Sequence, residues 1–116
     1  MPDSRTVLPA PKLLNLTSVR AEENAITLCA RTSTSAARCP ACGQRSARVH
    51  SRYMRTLADL PWQGVPVSVH LRVRRFFCEE VACQRAIFAE RLPGVAAPYG
   101  RRTERLEKTH RDTGNG

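Results

Sequence analysis

The sequence lacks long apolar runs and has few aromatic residues. No apolar stretch approaches the roughly 20 residues that a membrane-spanning helix needs, and no apolar signal-peptide core follows Met1. We therefore expect no membrane partner and a cytoplasmic location. A chain of 116 residues is long enough for one domain but short for two, and its six aromatic residues leave that domain a small core.

Acidic residues are scarce relative to basic ones. The chain has 10 Asp and Glu against 19 Lys and Arg, which gives a net charge of +9. Nearly all of the basic residues are arginine, since Lys12 and Lys108 are the two lysines. The arginine side chain is suited to bidentate recognition of phosphate, so nucleic acid is the first partner to consider. Nothing in the pattern indicates a small-molecule substrate.

The five cysteines are odd in number, and the missing secretory signal further argues against a disulfide framework. Cys39 and Cys42 form a knuckle that ends in Gly43, and Cys78 and Cys83 supply a second pair. Two close pairs provide the four thiolates of a tetrahedral zinc site, so we predict one structural Zn²⁺ ion. The alternatives are four buried reduced thiols and a thioredoxin-like redox pair, although no βαβ pattern surrounds the first knuckle. We expect the segment between the pairs to need metal in order to fold.

Alternating polarity predicts a small, mainly β fold. A hairpin is predicted from Leu14–Val19 and Ile26–Arg31, with Cys29 as a core thiol rather than a metal ligand. Strands follow over 47–55 and from Val65 to Arg74, so a four-cysteine zinc ribbon is joined to the hairpin. Predicted domains are a flexible arm over 1–12, a zinc-ribbon DNA-binding domain over 13–100, and a short helix with a polar tail over 101–116. Leu106 is the one apolar residue of 101–108, so we expect no attachment of this helix to the core.

Basic side chains alternate along the two strands after the first knuckle. If the strands pair across the turn at Trp62, one face carries a basic patch opposite the apolar face. The residues predicted to contact DNA are Arg48, His50, Arg52, His70, Arg72 and Arg74. Both histidines are interpreted as surface residues rather than metal ligands. Contact with phosphates is expected before base readout, and a merely solvated face is the alternative.

Several longer motifs carry a family resemblance. They are Cys39–Gly43, Arg48–Tyr53, Leu57–Pro61, Arg74–Cys78, Ile87–Gly94 and Pro98–Thr103. Over residues 13–106 the chain resembles the N-terminal zinc-finger region of the ISL-three family of bacterial insertion-sequence transposases. The resemblance implies a zinc ribbon with Cys39, Cys42, Cys78 and Cys83 as ligands, which helps to bind the terminal inverted repeats of the element in the bacterial nucleoid.

The resemblance also sets expectations about catalysis. In the family, a helix-turn-helix segment and a catalytic domain with acidic residues follow the ribbon, and the pattern stops here after Leu106. The acidic residues of this chain are scattered, with no set that could hold the metal pair of a phosphoryl-transfer site. We therefore expect a truncated, non-enzymatic fragment that binds DNA. The alternative is a protein-interaction module that docks onto an intact transposase, which an exposed apolar patch around Phe76, Phe77 and Phe88 would favour.

Overall fold

The computed structural model describes Pro9 and residues 13–114, so the arm expected over 1–12 lies outside the described residues except for Pro9. The fold is mainly β with one short helix, as expected. The elements are β1 (Leu14–Ala21), β2 (Ile26–Thr32), β3 (Ala37–Arg38), β4 (Arg45–Ser46), β5 (Val49–Trp62), β6 (Val65–Phe77), β7 (Ile87–Ala89) and α1 (Glu104–Gly114). Within these described ranges, no helix has the length and apolar character that crossing a membrane requires.

Five of the strands form one sheet in the order β1-β2-β6-β5, with β7 also paired to β6. The β1–β2 and β5–β6 pairs are antiparallel hairpins, and β3 and β4 form a separate small hairpin. The two large hairpins are joined through parallel pairing of β2 with β6, from Ile26 opposite Val67 to Arg31 opposite Arg72. The first hairpin is therefore part of the same sheet as the second, rather than an appendage to the ribbon.

The main core lies on one face of this sheet. Alternate residues of β6 point into it because successive side chains of a strand face opposite sides. Leu57 of β5 and Leu28 of β2 pack beside them, and the loop after β7 covers the face with Leu92 and Val95. All of these side chains are at least nine-tenths buried. Each fully buried Val or Leu stabilises the fold by roughly 1.5–3 kcal/mol relative to an exposed one. The contributing residues of β6 are Val67, Val69, Leu71 and Val73.

A bulge interrupts β5 between Val49 and Ser51, and it corrects the predicted alternation. Val49 is opposite Phe76, whereas Tyr53 is opposite Val73. Because Phe76 and Val73 face opposite sides of β6, Val49 and Tyr53 lie on opposite faces of the sheet. A single extra residue in one strand shifts every side chain before it to the other side of the sheet.

The C-terminal helix α1 is attached to the sheet, contrary to expectation. Asp59 of β5 has a fully buried carboxylate that accepts hydrogen bonds from Thr103 Oγ1 at 2.7 Å and from Arg105 Nε at 2.8 Å. Leu106 is also buried against the fold, with 8% of its surface exposed. Apolar periodicity in the sequence does not reveal this polar attachment.

Candidate metal centre and nucleic-acid interface

The first cysteine pair lies in the turn of the β3–β4 hairpin. Gly43 N donates a hydrogen bond to Cys39 O at 2.8 Å, and Cys39 N donates to Gln44 O at 3.0 Å. These bonds fold the chain tightly around the pair. Gly43 has a φ of 79°, a left-handed conformation that glycine adopts without steric cost. The sequence Cys-Pro-Ala-Cys-Gly therefore forms the predicted knuckle.

The second cysteine pair follows β6, where the chain turns toward β7. Cys78 N donates to Ala86 O at 2.7 Å, and Cys83 N donates to Glu80 O at 3.0 Å. The Glu80 side chain also accepts a hydrogen bond from Ala82 N at 3.2 Å. This wider turn holds the two thiols near each other despite the four residues between them.

The four sulfur atoms converge on one point. All of them lie within 4.8 Å of one another. Cys39 Sγ is 3.8 Å from Cys83 Sγ, and Cys42 Sγ is 3.5 Å from Cys78 Sγ. Zinc bonds of about 2.3 Å to four tetrahedral thiolates place the sulfur atoms roughly 3.8 Å apart, so the donor set fits this ion. Among the described residues no histidine or carboxylate joins the cluster.

The surroundings of the thiols shift the pKa values of Cys39 and Cys78 in opposite directions. Burial raises the pKa of Cys39, but hydrogen bonds from the backbone of Cys42 and Ala41 and from neighbouring thiols lower it to about 7. A backbone hydrogen bond from Glu80 lowers the pKa of Cys78, but burial and the neighbouring sulfur groups raise it to about 12. Four adjacent thiols cannot all ionise unless a cation replaces their protons, which is what metal binding does.

A second apolar cluster supports the cysteine centre. Phe76 and Phe88 are stacked with their centroids 5.7 Å apart, and both are almost completely buried. Cys39 packs with them, and Cys78 and Cys83 lie at the edge of the same cluster. The cysteine centre is thus fixed to the end of the main sheet where β6 pairs with β7. Cys29 lies outside it, in β2 opposite His70.

The bulge in β5 separates the predicted basic face into two groups. Arg52 is opposite Arg74 and therefore lies on the same side as Arg72 and His70. Arg48 and His50 lie on the other side, around Phe77. The Arg48 guanidinium is 4.8 Å from the centre of the Phe77 ring, and the His50 ring is 5.0 Å from it. The prediction that these six side chains share one face is therefore wrong.

Arg74 is occupied by contacts within the protein. Its Nη2 lies 3.0 Å from Glu90 Oε2 and donates to Thr34 Oγ1 at 3.0 Å. The Glu90 carboxylate is buried, and its Oε1 also accepts hydrogen bonds from Arg74 N at 2.8 Å and from Thr32 Oγ1 at 2.9 Å. Glu90 thereby fills the gap on the β6 edge between the ends of β2 and β7. Arg74 is neutralised and supports the fold.

Arg31 is not among the residues predicted to contact DNA, but it lies directly opposite Arg72 in the parallel pairing. Asn15 of β1 is in turn opposite Arg31, so three strands place polar side chains in one row. A groove of about 300 Å³ runs along this face. Its lining comprises Asn15, Arg31, Thr32, Ser33, Arg52, Arg72 and Arg74. The alternation within β2 is the one sequence signal that places Arg31 on the polar face. Its position opposite Arg72 depends on the long-range pairing of β2 with β6, which the sequence does not reveal.

Two cysteine knuckles, one in a small hairpin and the other at the end of a sheet strand, define a four-cysteine zinc ribbon. Residues 35–83 match the family model described as the zinc-finger of transposase IS204/IS1001/IS1096/IS1165. This match confirms the resemblance to ISL-three transposases over that segment and includes all four cysteines. No curated protein and no solved structure matches the chain.

Proposed function

We propose that this chain is a zinc-stabilised DNA-binding part of an insertion-sequence transposase, which contacts the terminal inverted repeats of its element. The match of residues 35–83 to the transposase zinc finger carries the proposal. The bound metal is one structural Zn²⁺ ion, held by Cys39, Cys42, Cys78 and Cys83. In this role zinc supplies rigidity to the ribbon rather than chemistry on the substrate.

Contact with DNA phosphates is supported by arginines without acidic partners. In the described part of the chain, ion pairs are formed by Arg74, Arg102 and Arg105, and Arg52 and Arg72 form none. Both are exposed and lie on one face of the sheet. Exposed guanidinium groups without counter-charges attract a polyanion and release its condensed counterions, which gives binding that weakens with salt.

The apolar patch expected to favour the competing role as a protein-interaction module centres on three phenylalanines. Phe76 and Phe88 are buried under the ribbon, and Phe77 is half-buried between Arg48 and His50. No apolar patch is thus exposed at these three residues. The potential metal ligands also form one group in the described residues, the four cysteines, and the two buried carboxylates are both paired with arginine. These observations favour a binding role over phosphoryl transfer.

Fluorescence anisotropy with a labelled duplex tests the proposal. The duplex carries the terminal inverted repeat of an element of this family, and a scrambled duplex of the same composition is the reference. Replacing Arg52 and Arg72 together by Ala should weaken binding and make the plot of log K against log salt shallower by roughly two, because each phosphate contact contributes about 0.9 to the slope.

The matched control removes the same charge elsewhere. Arg85 and Arg91 are exposed and lie outside the groove, so their double replacement by Ala should leave the affinity closer to that of the wild type. Equal losses in the two double variants would contradict contact through the Arg52–Arg72 face. A wild-type protein that binds neither duplex in a salt-dependent manner would overturn the DNA-binding role and leave the interaction module as the better explanation.

A further inference from the structure

The groove on the polar face of the sheet holds an unbalanced concentration of positive charge. Arg31 and Arg72 are directly opposite each other on adjacent strands. Strands are about 4.8 Å apart, and like charges placed directly opposite each other destabilise a sheet. Arg52 lies one strand further on, beside Arg74. None of the described residues that line the groove is acidic.

Some of the hydrogen-bond donors in this groove already have partners within the protein. Thr32 Oγ1 donates to Glu90, Ser33 Oγ donates to Leu13 O, and the Arg74 guanidinium is paired with Glu90. The guanidinium groups of Arg31, Arg52 and Arg72 have no carboxylate within ion-pair distance among the described residues. All three are exposed. The groove therefore presents three arginine donor groups with no counter-charge.

We infer that Arg31, Arg52 and Arg72 form a phosphate-binding site that takes a phosphodiester group of a nucleic-acid backbone. The inference rests on the proposed function for its partner and adds Arg31 as a contact residue. Planar guanidinium groups donate paired hydrogen bonds to phosphate oxygens, and a bound anion compensates the opposed charges of Arg31 and Arg72. The groove is open and runs across several strands, which suits an extended polymer better than a free phosphate ion.

The key experiment compares Arg31→Ala with Arg20→Ala in the full chain. Arg20 is exposed on the same polar face of the sheet, in β1 opposite Thr27, but does not line the groove. Anisotropy with the inverted-repeat duplex should give a roughly tenfold loss of affinity for Arg31→Ala, with a salt slope shallower by about one. Arg20→Ala should change the affinity by less than about twofold. Arg31→Lys should lose part of the affinity while keeping the slope, because it retains the charge but not the fork.

Unchanged affinity in Arg31→Ala, with DNA binding intact in the wild type, would overturn the site and leave the proposed function standing. An equal loss in Arg20→Ala would also overturn it, since attraction would then come from the overall field. Thermal melts verify that the variants fold, and Arg31→Lys provides the test if Arg31→Ala does not.

A second measurement separates nucleic acid from free phosphate. Inorganic phosphate is titrated into ¹⁵N-labelled protein, and the amide shifts of Arg31 and Arg72 are followed. Weak, non-saturating shifts beside tight DNA binding support the inferred partner. Saturation by inorganic phosphate in a protein that does not bind DNA would overturn both the inferred partner and the proposed function.

Discussion

Two buried carboxylates determine how this strongly basic chain is held together. Glu90 connects Arg74 of β6 with Thr32 of β2. Asp59 connects β5 with Thr103 and with Arg105 of α1. A buried charge is costly unless it is paired and hydrogen-bonded, and both of these carboxylates satisfy that condition. Each therefore acts as a specific connection between segments that are distant in sequence.

The Asp59 connection predicts a pH dependence of stability. Burial raises the pKa of Asp59, but hydrogen bonds from Arg105, Thr103 and the backbone of Leu60 outweigh it, so the pKa lies below its usual value of 3.8. Because the folded-state pKa is the lower one, this contribution is present above the unfolded-state value and is lost as pH falls through the folded-state value. Urea unfolding should show stability declining from about pH 5 downwards.

The variant Asp59→Asn should remove this component of the acid-induced decline and lower the free energy of unfolding at neutral pH by roughly 1–3 kcal/mol. Glu23→Gln is the control, because Glu23 is exposed in the β1–β2 turn. An Asp59→Asn profile parallel to that of the wild type throughout the acid range would show that Asp59 does not contribute as described.

The clustering of the four cysteines was easier to predict from the sequence than the polar contacts. Cysteine pairs are local features, and their spacing carries the chemistry directly. The roles of Glu90 and Arg31 depend instead on which strands are neighbours, and a parallel joint leaves no short-range signal. The bulge near His50 was equally hidden, since it follows from tertiary packing of Val49 against Phe76 rather than from local alternation.

Among the elements, the cysteine ribbon and the main sheet have separate apolar cores. The ribbon core centres on Cys39, Phe76 and Phe88, whereas Val69 and Leu71 belong to the sheet core. From the sequence, metal loss was expected to affect the whole segment from Cys39 to Cys83. The two separate cores restrict the expected effect to the ribbon, because β5 and β6 are also stabilised by the sheet core.

Chelation of the metal should therefore open the ribbon and spare the sheet. Hydrogen exchange in the presence of a strong zinc chelator should show lost protection over residues 39–46 and 78–89, with protection retained at Val67–Val73. The same result is expected for Cys42→Ser, whereas Cys29→Ser should keep protection because Cys29 lies outside the cluster. Uniform loss over all these residues would mean that the sheet cannot fold without the ribbon.

The structure contains the predicted strands, but the parallel pairing of β2 with β6 was not predicted. The β1–β2 hairpin and the strand from Val65 follow from alternation and turn residues. Helix α1 was also predicted, but its attachment was not. The ion pair between Arg105 and Asp59 connects it to β5, and apolar periodicity does not detect such a contact.

At the scale of the whole molecule, the net charge of +9 is spread over a body of 50 × 34 × 19 Å. Such a charge destabilises the compact state through self-repulsion. The two buried ion pairs are shielded from salt, whereas the exposed arginines are not. Folding stability and DNA affinity should therefore respond to salt in opposite directions.

Raising sodium chloride from about 0.02 M to about 0.2 M should increase the free energy of unfolding by about 1 kcal/mol, in line with the 0.2–1 kcal/mol typical of single exposed charge pairs. Urea unfolding measures this change. The variant Arg72→Ala should show a smaller increase, because it relieves the repulsion with Arg31. Stability that falls with salt in the wild type would indicate that attractive surface pairs dominate instead.

The parallel joint between β2 and β6 also governs the order in which the chain can fold during synthesis. Ile26 and Arg31 find their partners only after Val67 and Arg72 have been made, and the first cysteine knuckle and β5 lie between them. Closing so long a loop makes this step late and slow. Until then the inner edge of β2 has unpaired backbone groups, which are a template for association with other chains. The interval between synthesis of β2 and completion of β6 is thus when a nascent chain is most exposed to aggregation.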